Sequence, residues 1–333
     1  MHSLKEYKLF FQTRSPLILS PRSSHAFYRD ALWNEDDVKF FKTGEKDKNG
    51  AVKKDKNGAV KTDENGADKT YNIIYPFYRY GEYKQFNPQH PARYIPGSSI
   101  KGAITAGTDY GSKSLSLMVD DVTEFHAKGP DAKSFSIISP LKSQYFDQLP
   151  KLSDWEARKR EAMISGKKPT DCITIPKLLP FFAGTVGLEA LCDDVEFCVV
   201  IRYGGNLDEI LADTRQATIR ILKKYLAQLN DYKERTEILK EQYPDNENEV
   251  SNRESCQDTL ESLQRIIEHT EALLKEADTK TFRFMGGYKG LMRSLTMSEP
   301  SDPDQSAIFA NAQYQPFGYI EIVNIETAET EER

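Results

Sequence analysis

Between Leu207 and Asp278 apolar residues recur at helical spacing, and the pattern is interrupted once. Ile210, Thr214, Ala217, Ile221, Tyr225, Leu229 and Tyr232 fall three or four apart, and Cys256, Leu260, Leu263, Ile267 and Leu274 continue the stripe later. Residues at that spacing share one helix face. Between the two runs, Tyr243-Pro-Asp-Asn-Glu-Asn-Glu249 places a proline, which lacks the helical N–H, inside a cluster of turn formers. The segment therefore reads as two long amphipathic helices folded back into a hairpin. Their stripes either pack internally or present a docking surface to a neighbouring subunit.

The rest of the chain reads mainly as strands and turns, which makes the fold class α+β. Residues 5–13 alternate as a strand, and Thr185–Leu191 and Glu196–Tyr203 read as a strand pair turning at Cys192-Asp-Asp194. One stretch is unlike either. Asp47-Lys-Asn-Gly-Ala-Val52 recurs as Asp55–Val60 and, degraded, as Asp63–Asp68, a period of eight residues. Asn-Gly favours hairpin turns only where the flanks pair as strands, and these flanks are mostly lysine and aspartate. It reads as a low-complexity insertion spanning about 44–70. The expected organisation is an N-terminal module over 1–205, the helical hairpin over 206–278, and C-terminal strands over 279–333.

Two segments carry chemistry. In Tyr94-Ile-Pro-Gly-Ser-Ser-Ile-Lys-Gly-Ala-Ile104, Pro96-Gly97 forces a turn after a strand, and Ser98 or Ser99 then caps a helix starting near Ile100. Unpaired N–H groups and the dipole at such a start attract anions. Lys101 adds charge, and Gly102 and Ala103 let a backbone approach closely. An ordinary helix cap with a surface lysine would show the same residues. The second segment is Phe282-Arg-Phe-Met-Gly-Gly-Tyr-Lys-Gly-Leu-Met-Arg-Ser-Leu295, a glycine-rich loop with Arg283, Lys289 and Arg293. Gly286, Gly287 and Gly290 free the backbone to approach a ligand.

The first string resembles the Pro-Gly-Ser-Ser-(Ile/Leu)-Lys-Gly-Ala-Ile-Arg signature of the RAMP proteins of CRISPR effector complexes, and within them the fifth-subunit family of type III-A Csm complexes. Thr105 stands where that signature has arginine. Tyr7–Ser20 is similar to the family's first strand and turn, 282–295 to its glycine-rich loop, and Gln315–Ile322 to its closing strand. The resemblance implies a ferredoxin-like (RRM-like) RAMP core, two such modules in all, carrying the hairpin and the repeat as insertions. It further implies a non-catalytic subunit that binds CRISPR RNA, caps the filament near the 3′ end of that RNA, and contacts the backbone-forming RAMP subunit and other Csm subunits. Support for RNA maturation would come from recruited host ribonucleases. The RNA-binding residues it points to are Gly97, Ser98, Ser99, Lys101, Gly102, Arg283, Gly286, Gly287, Lys289 and Arg293.

Charge distribution is compatible with that reading. The chain carries a net charge of −6, yet residues 207–278 alone hold 17 acidic and 10 basic side chains, so the remainder sums to +1. Residues 279–298 contain four basic side chains and no acid. Because screening confines fields to about 8–10 Å, a local basic patch still binds phosphate, with the acidic hairpin facing away. Residues 71–94 interleave eight tyrosines and phenylalanines with Arg79, Lys84 and Arg93. Aromatics beside cations stack on unpaired bases, although aromatics also favour strands and cores. Tyr83 and Phe86 are the stacking candidates.

Two rival readings remain. A metal-free RAMP endoribonuclease acting on precursor RNA would need a histidine acid or base, for which His25, His90 and His126 are the candidates. Alternatively, the chain caps the filament mainly through protein contacts of the acidic hairpin. No metal or cofactor is expected. The acidic pairs Asp36-Asp37, Asp120-Asp121 and Asp193-Asp194 point to opposite faces when extended, and no nucleotide-binding fingerprint occurs. Cys172, Cys192, Cys198 and Cys256 lack zinc spacing and read as small buried hydrophobes. With no long apolar run and no secretory leader, the chain is expected in the cytoplasm and away from membranes.

Overall fold

The computed structural model describes residues 4–19, 27–28, 73–80, 93–105, 116–130, 132–138, 140–170, 173–180, 186–243, 249–285 and 309–327. In chain order the strands are β1 (Lys5–Thr13), β2 (Phe27–Tyr28), β3 (Ile73–Tyr75), β4 (Leu117–Val119), β5 (His126–Ala127), β6 (Phe135–Ile138), β7 (Leu141–Gln144), β8 (Lys177–Pro180), β9 (Val186–Leu191), β10 (Val195–Tyr203), β11 (Thr281–Phe284), β12 (Phe309–Ala310) and β13 (Tyr319–Thr327). The helices are α1 (Gly97–Thr105), α2 (Leu152–Ser165), α3 (Leu207–Gln242) and α4 (Val250–Glu276).

β1 and β10 form the centre of a six-stranded antiparallel sheet ordered β11-β13-β1-β10-β4, and β5 pairs with the far end of β10. Strict alternation explains why. In β10, Val195, Phe197, Val199, Ile201 and Tyr203 are buried on one face, matched by Leu9 and Phe11 of β1. Onto that face pack Ile100, Ala103 and Ile104 of α1 and Leu207, Ile210 and Leu211 from the first turns of α3. Phe11 and Phe197 stack with ring centroids 5.1 Å apart. Each such large apolar side chain contributes roughly 1.5–3 kcal/mol when fully buried. The Thr214 hydroxyl donates to the Ile104 carbonyl and so ties the end of α1 to α3.

The hairpin forms where the periodicity places it. Asn206 caps α3 by accepting the Asp208 N–H at 3.1 Å, and Asp208 and Glu209 complement the positive end of the helix. At 36 residues α3 runs about 54 Å. Lys233–Gln264 and Lys240–Gln257 hydrogen bonds, 3.0 and 2.7 Å, set its register against α4. The distal half of the hairpin builds its own core. Leu229, Tyr232, Leu239, Leu263, Ile266 and Ile267 enclose Trp155 of α2, Phe146, Leu149 and Ala310 of β12. Thr259 donates to the Pro176 carbonyl at 2.7 Å, fastening α4 to the segment that enters β8.

The expected pairing of residues 185–191 with 196–203 does not occur. β9 belongs to a four-stranded sheet ordered β2-β3-β9-β6, whereas β10 belongs to the six-stranded one. Thr13 holds the corner open. Its hydroxyl donates to the Cys192 carbonyl at 2.7 Å and accepts the Val195 N–H at 2.8 Å, and its carbonyl accepts the Asp194 N–H at 3.0 Å. Asp194 takes a left-handed conformation there, φ 55°. The chain therefore turns from one sheet into the next. A three-stranded sheet ordered β12-β7-β8 completes the strands.

The cysteines are not uniformly buried. Cys256 is fully buried, Cys192 is half-buried, and Cys198 is exposed because its neighbours Phe197 and Val199 take the inward positions of β10. Cys172 lies outside the described residues. Among those residues no helix is long and apolar enough to cross a membrane.

Candidate nucleic-acid interface

α1 begins where the chain leaves a short bridge. Ile95 and Val122 exchange N–H···O bonds of 2.9 and 3.0 Å, and Pro96 then offers its carbonyl to the N–H groups of Ser99 and Ile100 at 2.8 and 3.4 Å. The helix thus starts at Gly97, three residues earlier than expected, and Ser98 and Ser99 sit in its first turn instead of capping it. The capping group comes from another segment. Asp121, just beyond β4, accepts the Gly97 N–H on Oδ1 at 2.7 Å. The anion-seeking donor of Gly97 is therefore already matched by an internal carboxylate. Ser98 remains exposed and Ser99 half-buried.

The two glycines of α1 differ. A Cβ on Gly97 would lie 2.1 Å from the Val119 carbonyl oxygen, so the residue is fixed by close backbone packing. Around Gly102 no atom of the described residues lies within 4 Å of a Cβ position, and the residue is exposed. Among the described residues no internal contact demands a glycine there, although alanine is the better helix former. Lys101 is half-buried, with Nζ donating to the Leu117 carbonyl at 2.8 Å. Thr105 returns its hydroxyl to the Lys101 carbonyl at 2.8 Å.

Tyr80 lies at the same end of α1. Its hydroxyl donates to Asp121 Oδ2 at 2.7 Å, and its ring stacks on Tyr94 at 4.0 Å and 16°, while 49 % of the residue stays exposed. The bond to Asp121, with burial second, pushes the Tyr80 hydroxyl up to about 12. Burial, then the Asp121 charge, raises that of Tyr94 as well.

Two of the cations interleaved with these aromatics have a different role. Arg79 and Arg93 both bind buried Glu189, at 2.9 and 2.6 Å, and Phe77 donates its backbone N–H to the same carboxylate at 2.9 Å. Arg93 also lies 4.4 Å over the Phe135 ring. Burial opposes ionisation of Glu189, but the two guanidinium groups outweigh it and hold the carboxyl below its ordinary value. Arg79 and Arg93 thus brace the strand β9. Tyr83, Lys84 and Phe86 lie outside the described residues.

β11 packs beside α1. Met285, which follows it, shares the buried cluster of Ile100 and Ile104 and donates its N–H to Gly318 at 2.8 Å. Two segments almost 180 positions apart in the sequence are therefore neighbours in space. Arg283 stands in β11 opposite Ile320. Gly286, Gly287, Lys289 and Arg293 lie outside the described residues.

Of the catalytic candidates, the one among the described residues, His126, lies away from α1. His126 is exposed in β5 and registers with Glu196. Glu196 points away from the face that Val195 and Phe197 share with α1, so His126 occupies the opposite face of the sheet from α1. His25 and His90 lie outside the described residues. Asp120 pairs with Arg202 at 3.0 Å while Asp121 turns to Gly97 and Tyr80, so the adjacent carboxylates diverge. Asp121 and Tyr80 are the residues that sequence reading undervalued. In the sequence Asp121 stands in an acidic pair and Tyr80 among eight aromatics, with nothing local to join them. No protein-family model and no curated protein matches this chain.

Proposed function

We propose that this chain is a non-catalytic RNA-binding subunit of a CRISPR effector complex of the type III-A (Csm) kind, built on a ferredoxin-like RAMP core. The fold part rests on strand order. β1, α1, β4, β10, α3 and β13 follow one another as β-α-β-β-α-β, and the four strands lie in the order β13-β1-β10-β4, all antiparallel, with both helices on one face. That order supports a ferredoxin-like reading. One module is proposed rather than two, because β2, β3, β9 and β6 do not follow it.

The observation that carries the functional part is the adjacency of α1 and β11. It brings the Pro96–Ile104 signature beside the strand that leads into the basic, glycine-rich segment 286–293. RNA backbone would pass over α1 at exposed Ser98 and Gly102 and half-buried Ser99, with Arg283, Gly286, Gly287, Lys289 and Arg293 as the further contacts. Lys101 would join on exchanging its bond to Leu117 for a phosphate. Phosphate contacts hold RNA without reading its sequence, which suits a protein that accepts any guide. The acidic hairpin would face partner subunits, including the backbone-forming one.

Labelled single-stranded RNA incubated with the protein in EDTA across a salt series tests this reading. Binding that weakens steeply with salt, leaves RNA intact and falls in Arg293→Ala supports it. Cleavage in EDTA would move the assignment to a metal-independent nuclease, and no binding at low salt would leave a subunit working through protein contacts.

A further inference from the structure

We infer that Tyr80, half exposed beside the start of α1, is a stacking subsite for an unpaired nucleobase. The inference rests on the RNA-binding reading and specifies what that site holds besides backbone. Three features support it. First, the ring is held in place although half exposed: Tyr94 stacks against one face at 4.0 Å and 16°, and Asp121 fixes the hydroxyl at 2.7 Å. A tyrosine serving only to cover apolar surface would turn its ring inward, as Tyr203 and Tyr319 do, at 4 % and 1 % exposure. Tyr80 instead spends two restraints on keeping a π-face in water, the preorganisation a stacking platform needs.

Second, Asp121 receives both the Tyr80 hydroxyl and the Gly97 N–H. One carboxylate thus sets the distance between the ring and the start of α1. Exposed Ser98 and the open surface at Gly102 lie on that same helix. Third, the neighbouring cations Arg79 and Arg93 are committed to Glu189, so the platform offers a neutral π-surface rather than a phosphate clamp. Such a surface accepts any base, in keeping with sequence-independent binding.

The test compares oligoadenylate with a ribose-phosphate polymer lacking bases, using wild type, Tyr80→Leu and Tyr80→Phe at low salt. The expected result is a roughly tenfold loss of oligoadenylate affinity in Tyr80→Leu, with binding of the baseless polymer unchanged. Tyr80→Phe, which keeps the ring, should stay within about threefold of wild type. Quenching of 2-aminopurine placed in the RNA should appear in wild type and Tyr80→Phe and vanish in Tyr80→Leu. Unaltered oligoadenylate binding by Tyr80→Leu overturns the subsite and leaves the backbone reading standing. An equal loss on both polymers overturns it too, since the ring would then act on backbone or fold. Wild type that binds neither polymer overturns the RNA reading, and the subsite with it.

Discussion

Gly97 and Val119 pack backbone against backbone, so closely that a Cβ on the glycine would stand 2.1 Å from the Val119 carbonyl oxygen. The contact seats the start of α1 directly on the end of β4. Neither partner is a movable side-chain tip. Gly97→Ala is therefore expected to cost about 1–3 kcal/mol, the range of overpacked sites, read as a lower urea midpoint with unchanged slope.

Gly102 should respond in the opposite direction. With no atom of the described residues within 4 Å of its Cβ position, Gly102→Ala is expected to stabilise the protein by about 0.5–1 kcal/mol. If RNA backbone crosses this surface, a larger replacement such as Gly102→Gln keeps stability but weakens RNA binding. Melting temperature and RNA affinity measured on the same variants separate the two effects.

Glu189 braces two arginines from inside the protein. Removing its charge leaves both guanidinium groups without their shared carboxylate, so Glu189→Ala is expected to cost about 3–5 kcal/mol. The pH dependence follows from a folded-state pKa below the unfolded one. That stabilisation is fully present above the unfolded value of about 4.3 and is lost as pH falls through the folded value. Melting temperatures taken downward from neutral pH should fall more shallowly in Glu189→Gln than in wild type.

Tyr80 reports on Asp121. With its hydroxyl pushed up to about 12 by the hydrogen bond to Asp121, Tyr80 should stay protonated well after ordinary tyrosines ionise. Asp121→Asn should bring that midpoint down toward the ordinary value. The ultraviolet difference titration between each protein and its Tyr80→Phe counterpart isolates the residue.

What could be read in the sequence was what depends on near neighbours. α3 ends and α4 begins on either side of the Tyr243–Glu249 interruption of the stripe, and β1 coincides with the alternating residues 5–13. Strand partners depended on distant residues. Nothing local in Cys192–Val195 announces that Thr13, far earlier in the chain, binds that corner and sends β9 and β10 into different sheets. The start of α1 shifted for the same reason, since its cap is Asp121 and not the adjacent serines. Arg79 and Arg93 looked like nucleic-acid contacts because their partner, Glu189, lies about a hundred residues away.

RNA bound to this protein is expected to lie along α1 and β11. Crosslinking 4-thiouridine-substituted single-stranded RNA to the protein, followed by mass spectrometry of the adducted peptides, measures this directly. Adducts are expected in the peptides containing Tyr80, residues 93–105 and residues 281–293. Adducts confined to the α3–α4 hairpin, or to the sheet face that carries His126, would contradict it.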